Sequence, residues 1–206
     1  MYRPPAFDMP VALARELCAT HPLAQLVVSA PDGLVATPVP LRWRREALVG
    51  HLARPNSLWL HPGPALAIFT GPQGYISPNW YPSKREHGKV VPTWNYSTVH
   101  VHGTLVVHDD DEWKREVLAL LTDTFEAASP MPWKITDAPD DYLAGAITRV
   151  VGIELVDVRI EGKAKLSQNR DEADVAGVIE GMGAGSPTQQ AVADAMRAAT
   201  VPHSGT

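Results

Sequence analysis

The stretch Gly74–Gly103, GYISPNWYPSKREHGKVVPTWNYSTVHVHG, sets the reading of the fold. Its two ends alternate as strands do. Tyr75 to Ser77 reads as one strand and Val91 to Val107 as another. On the longer strand Val99, Val101, Leu105 and Val107 fall on one face, and His100, His102 and Thr104 on the other. The centre is irregular, punctuated by Pro78, Pro82, Gly88 and Pro92. It carries Trp80, Tyr81, Lys84, Arg85 and Lys89, with Trp94 and Tyr96 just beyond. Aromatics and cations on a loop between strands mark either a binding site or a packed hairpin with a solvated basic tip, and composition alone does not choose between them.

Toward the N-terminus, Ala65 to Thr70 is a continuous apolar run expected as a central strand, followed by a turn at Gly71-Pro72-Gln73-Gly74. Arg54 to Ser57 reads as the entry to a short helix through Trp59 and His61, which Pro62-Gly63-Pro64 ends. Before it lie three strands of an antiparallel meander: Ala24 to Ala30, Leu34 to Trp43 and Ala47 to Leu52. Pro31-Asp32-Gly33 turns the first into the second. Pro38 and Pro40 each lack a donor, which assigns the second strand to an edge or bulge. Asp8 is expected to cap a first helix striped by Val11, Leu13, Leu17 and Cys18.

Toward the C-terminus, Asp109 to Asp111 open an amphipathic helix with Trp113, Val117, Leu120, Leu121 and Phe125 on one side. A short helix is expected near Asp140 to Ala146. A late strand then runs from Val150 to Ile160, and its apolar phase slips between Leu155 and Val156, the mark of a bulge or barrel corner. From Asp171 the pattern gives two helices broken at Gly183–Pro187. Many short strands with helices at the ends imply a mainly β fold, a β-barrel with appended helices. The barrel is expected over 1–170, with a helical extension over 171–200 and a flexible tail over 201–206.

Length and charge narrow the function. A chain of 206 residues with 45% apolar side chains fills one core. Its net charge of −5 does not advertise nucleic-acid binding. The one cysteine, Cys18, rules out an internal disulfide and a cysteine-based zinc site, and fits a reducing compartment. There is no signal-peptide core and no run near the roughly 20 apolar residues of a membrane span. The expectation is a cytoplasmic protein without a membrane segment.

The residues also limit the chemistry. No Gly-x-Ser-x-Gly elbow, Walker loop or dinucleotide glycine fingerprint occurs. His100 and His102 share a strand face, and His51 is a conceivable third ligand, but no acidic ligand stands at a recognisable spacing and no metal is assigned. A planar anionic cofactor is the better match. Trp80, Tyr81, Trp94 and Tyr96 offer flat walls; Ser77, Asn79, Thr93 and Asn95 offer directed hydrogen bonds; Arg54, Lys84, Arg85 and Lys89 offer charge. Asn56-Ser57, at a helix start, adds N–H donors for a phosphate. Farther on, Lys163, Lys165 and Arg170 alternate with small and amide residues, either as a solvated strand exit or as the closing wall of the same site.

These segments carry a resemblance. GHLARPN (50–56), YISPNWY (75–81), KVVPTWNYSTVHVHG (89–103), VVGIELVDVRIEGKAKLSQNR (150–170) and the opening MYRPPAF resemble the PaiB-type FMN-binding negative transcriptional regulators, over Met1 to about Met196. The resemblance implies an FMN-binding split β-barrel of Greek-key type, like the pyridoxamine-phosphate oxidases. It also implies a homodimer with FMN at the subunit interface. By motif it implies cofactor contacts from His51, Arg54, Asn56, Ser77, Trp80, Tyr81, Lys89, Thr93, Trp94, Asn95, Lys165, Ser167 and Gln168. Among these, Arg54 and Lys89 would hold phosphate, Trp94 and Asn95 would meet the ring, and the 165–168 segment would cover it. DNA is a partner only through this resemblance. No helix-turn-helix with a basic face is evident, and the C-terminal helices carry Asp171, Glu172, Asp174, Glu180 and Asp194. The alternatives are an FMN-dependent oxidase or reductase, with His51, His100 or Tyr81 as proton donor, and a barrel acting through protein contacts without cofactor.

Overall fold

The computed structural model describes residues 1–200; the tail expected over 201–206 lies outside them. In chain order the elements are β1 (Asp8–Met9), α1 (Val11–Thr20), β2 (Leu23–Ala30), β3 (Gly33–Pro40), β4 (Arg42–Arg44), β5 (Ala47–Ala53), β6 (Gly63–Ile76), α2 (Ser83–His87), β7 (Thr93–His108), α3 (Asp111–Glu126), α4 (Asp140–Ile147), β8 (Val150–Lys165), α5 (Glu172–Gly183) and α6 (Pro187–Thr200). The fold is mainly antiparallel β with helices appended. No helix among the described residues is long and apolar enough to cross a membrane. The chain divides into two compact units. Unit 1 takes Met1–Leu17, Thr70–Val99 and Glu161–Thr206, and unit 2 takes Cys18–Phe69 and His100–Ile160.

Unit 2 holds the meander. β2 and β3 pair antiparallel from Leu23↔Pro40 to Ala30↔Gly33, and Gly33 supplies the positive φ of 128° that the turn needs. β3 ends the strand order, so Pro38 and Pro40 cost it no ladder on its far side, as an edge strand allows. β5 pairs with β4 on one side and β8 on the other. The expected strand from Leu34 to Trp43 is interrupted at Leu41, which is buried while β4 resumes at Arg42. α3 is capped by Asp110, whose side chain accepts from Trp113 N at 2.8 Å. Its Val117 and Leu121 pack against Val49. Phe125, expected on that face, is instead half exposed, and Lys114 is buried. Burial alone would lower the Lys114 pKa, but the carboxylates of Asp111 and Asp109 outweigh it and hold the ammonium charged. The slip in β8 has its backbone counterpart at Asp157, which takes a left-handed φ of 51°.

Unit 1 corrects two expectations. Asp8 does not cap α1; it lies in the short strand β1, opposite Lys163 of β8, and pairs with Arg3 at 2.7 Å. Gly71-Pro72-Gln73-Gly74 is no turn, because β6 runs unbroken through it. The glycines are there for close approach. A Cβ at Gly71 would lie 2.9 Å from Leu17 Cδ1, and one at Gly74 would lie 2.8 Å from Met182 Cε. β8 also runs five residues past the expected end, to Lys165. α5 and α6 close the unit: Val178, Met182, Val192 and Met196 bury against Ile76, Tyr81 and Leu166.

Candidate cofactor site

Six of the residues singled out above form hydrogen-bonded or stacked groups in unit 1, built where β7, the end of β8 and the loop before β7 come together. Lys165, the last residue of β8, donates from Nζ to Thr93 Oγ1 at 2.6 Å and to the Trp94 carbonyl at 2.8 Å. It is half-buried, and its pKa falls below the ordinary lysine value, first through desolvation and then through the charges of Lys163 and Arg170. Trp94 itself is 49% exposed. Its indole meets Tyr75 edge-on, with centroids 6.3 Å apart, and donates to Gln73 Oε1 at 3.3 Å. The result is a flat apolar wall with an ammonium on the backbone behind it.

One residue farther along β7 the side chain points inward. Asn95 is fully buried and exchanges hydrogen bonds with Ser167: its Nδ2 donates to Oγ at 2.9 Å, and Oγ donates back to its Oδ1 at 3.3 Å. Ser167 holds a left-handed φ of 70°, which bends the chain out of β8. Gln168 secures that bend, accepting from Leu166 N and donating to the Ala164 carbonyl, each at 2.7 Å. Asn95, Ser167 and Gln168 therefore shape the site from behind, with their polar atoms already engaged.

The loop before β7 is less irregular than its prolines imply. Ser77 accepts from Asn79 N at 3.2 Å and caps a single 3-10 turn, Pro78–Trp80; α2 follows. The loop is tied down from α5, where buried Asp174 accepts from Ser83 N at 3.1 Å and Ser83 Oγ at 2.7 Å. No spacing in the sequence announces this tie. Trp80 and Tyr81 line a cleft of about 500 Å³ with Pro82, Arg85 and α5 residues Gly177, Glu180 and Gly181. Tyr81 is buried under the Arg170 guanidinium, 4.8 Å from its ring centre. Burial raises the phenol pKa, against the nearby Arg170 charge. Lys89 is exposed, and its backbone N–H is held by His87 Nδ1 at 3.0 Å.

The three residues of the GHLARPN block lie in unit 2 and are occupied differently. Arg54 donates to the carbonyls of Thr148 (2.7 Å) and Val150 (3.1 Å) and pairs two-pronged with Asp109. Asp109 is held down at a pKa of about 2 by Arg54 and then Lys114. The guanidinium expected on phosphate thus already has a carboxylate. Asn56 caps the 3-10 turn Ser57–Leu60 by accepting from Leu58 N and donates to Thr37 Oγ1. His51 is the open one. Its Nδ1 is buried without a hydrogen-bond partner among the described residues, and burial lowers its pKa.

The donor set suits a flavin on this structure's own terms. Unit 1 has a half-exposed indole, a cation without a carboxylate among the described residues, and a buried phenol whose hydroxyl makes no well-formed bond there.

Comparison with known proteins agrees in kind. Residues 1–159 match the family model described as "Putative FMN-binding domain". The chain is 33% identical over 162 residues to the protease synthase and sporulation protein PAI 2 of Bacillus subtilis, covering 75% of each chain. It is 35% identical over 154 residues to an uncharacterized protein of Aspergillus fumigatus, covering 66% of this chain and 59% of that relative, so the match spans less than two thirds of the fungal protein. Among solved structures, the flavocytochrome Anf3 of Azotobacter vinelandii superposes with a TM-score of 0.61 at 15% identity, covering 81% of this chain and 73% of that one. The FAD and heme binding protein of Mycobacterium smegmatis gives 0.55 at 22% identity, covering 82% and 78%. At such identities the two structures speak to the fold alone.

Proposed function

Because this chain belongs to the family of FMN-binding split-barrel proteins that includes the PaiB-type regulators, we propose that its flavin is FMN and that it serves as a negative regulator of transcription. The observation that carries the cofactor reading is the pairing at Trp94: a half-exposed indole with the Lys165 ammonium hydrogen-bonded to its own carbonyl. A planar ring system that carries an anionic phosphate calls for that combination of wall and charge. Trp94 and Tyr75 would pack on the ring, Lys165 and Thr93 would offer donors to the cofactor's polar and anionic groups, and exposed Lys89 and Arg85 would add positive potential. Asn95, Ser167 and Gln168 would hold those groups in place. Bound FMN would supply one- or two-electron chemistry, which the protein tunes through these contacts.

A second reading, an FMN-dependent oxidase or reductase of a small molecule, is favoured by the charge of the C-terminal helices. Glu172 and Glu180 on α5 share that helix with no lysine or arginine, and Arg197 of α6 is already paired with Asp194, which is poor ground for DNA backbone contact. Absorbance of the purified protein with and without added FMN tests the cofactor. Trp94→Ala and Lys165→Met should each lose flavin retention; wild-type retention in both would overturn the assignment. DNA retention that weakens with salt supports regulation. Reduction of the bound flavin by NADH or NADPH, without DNA retention, supports the enzyme.

A further inference from the structure

Unit 1 contains three neighbouring cations, Lys163, Lys165 and Arg170, and among the described residues none of them is ion-paired with a carboxylate. Lys163 and Lys165 stand two residues apart on β8 and so project to the same face. Lys163 is buried. Its ammonium donates to the Tyr2 carbonyl at 3.1 Å and sits over the rings of Tyr2 and Tyr96, 5.5 and 5.2 Å from their centres. Lys165 is hydrogen-bonded to neutral oxygens, those of Thr93 and Trp94. Arg170 lies over the Tyr81 ring. Several cations elsewhere do have carboxylates: Lys114 with Asp109 and Asp111, Arg44 with Glu116, Arg197 with Asp194. Half-burying an ammonium among like charges costs stability, and the groups bonded to or stacked on these cations are π faces and neutral oxygens. An anion would complete such a set.

We propose that unit 1 carries an oxyanion site centred on Lys165 Nζ, with Thr93 Oγ1 beside it and Lys163 and Arg170 supplying further positive charge. The ligand class is a phosphate-bearing small molecule. Its phosphate is either that of the flavin or that of a separate compound bound next to it. The site deepens the FMN reading, but its existence does not need flavin.

Calorimetric titration with inorganic pyrophosphate, on the full chain, tests it without any cofactor. Wild type should bind, and Lys165→Met should weaken binding by roughly tenfold or more, the size of one lost charge-assisted hydrogen bond. Arg170→Gln removes the second cation and should weaken it severalfold, which keeps the test open if Lys165→Met fails to fold. FMN and riboflavin form the second arm. If Lys165→Met abolishes a preference for FMN over riboflavin, the phosphate seated here is the flavin's. If that preference survives and pyrophosphate binding is lost, the ligand is a separate compound. Pyrophosphate binding that is absent in wild type, or equal in wild type and both variants, with the FMN preference unchanged, overturns the site. Pyrophosphate binding through Lys165 in a protein that never takes FMN would instead overturn the cofactor reading and leave this one standing.

Discussion

His51 and Lys165 are two side chains whose protonation is displaced without an ion pair to explain it, and each makes a prediction. Burial lowers the His51 pKa below its ordinary 6.5. The folded state then binds that proton less readily than the unfolded chain. The associated stability is complete above about pH 6.5 and is lost as pH falls through the lowered folded value. Thermal melts should show wild type losing more Tm between pH 7.5 and 5.5 than His51→Asn; equal losses would refute a buried neutral imidazole. Lys165 is also lowered, by desolvation and then by Lys163 and Arg170. Its charged form is therefore a burden in the empty protein. Lys165→Met should leave the ligand-free Tm unchanged or higher while ligand binding falls, the trade expected where function keeps an unfavourable charge. A drop of several degrees would make Lys165 a structural residue. Both residues could be chosen from sequence as site candidates only through the motifs that carry the family resemblance, GHLARPN for His51 and the segment ending KAKLSQNR for Lys165. Arg54 shows the limit. Its motif suggested phosphate, and only the fold brings Asp109, fifty-five positions away, onto its guanidinium.

Among the elements, β6 and α5 show why glycine misleads when read locally. The sequence GPQG has every property of a turn, yet β6 passes straight through it, since its glycines make room for Leu17 and Met182. α5 carries Gly177 and Gly181 one helical turn apart, where helix propensity alone would favour alanine by about 1 kcal/mol. Trp80 packs onto both: a Cβ at Gly181 would fall 2.5 Å from its indole, and one at Gly177 would fall 2.1 Å from its carbonyl oxygen. Gly181→Ala should therefore destabilise the protein, by about 1–2 kcal/mol, the overpacking penalty less the propensity gain. Chemical denaturation would measure this, and a stabilised variant would show that Trp80 can move aside. The same helix start holds Asp174 against Ser83. Asp174→Ala would leave the buried Ser83 N–H and hydroxyl unpaired and should cost about 1–3 kcal/mol. It should also loosen the loop over 78–92, read as faster amide exchange there. Helix and strand periodicity found the elements themselves, including the break between α5 and α6 and the slip in β8, because those signals lie within a few residues. The Asp174–Ser83 tie joins positions 91 apart and leaves no local trace.

For the molecule as a whole, the mainly antiparallel fold was legible because its strands alternate or run apolar and Pro and Gly mark several of the turns, although β6 and β8 run longer than the pattern implies. The partition into two units was not, since β6, β7 and β8 each change unit partway along a continuous strand. What the isolated chain leaves open is the half-exposed wall of unit 1, Tyr75 and Trp94, at 49% each and in edge contact. Large apolar side chains clustered on a surface carry a solvation cost, and a second copy of the chain is the occupant the family resemblance implies. Sedimentation should give twice the 22.3 kDa chain mass at micromolar concentration. Trp94→Glu puts a charge onto that wall and opposes both an apolar partner and the flat face of an anionic cofactor. It should shift the protein toward monomer and lower FMN retention together, with the far-UV spectrum unchanged. Loss of flavin from an intact dimer would confine Trp94 to the cofactor. A wild-type monomer that keeps FMN would remove the second copy from the site altogether.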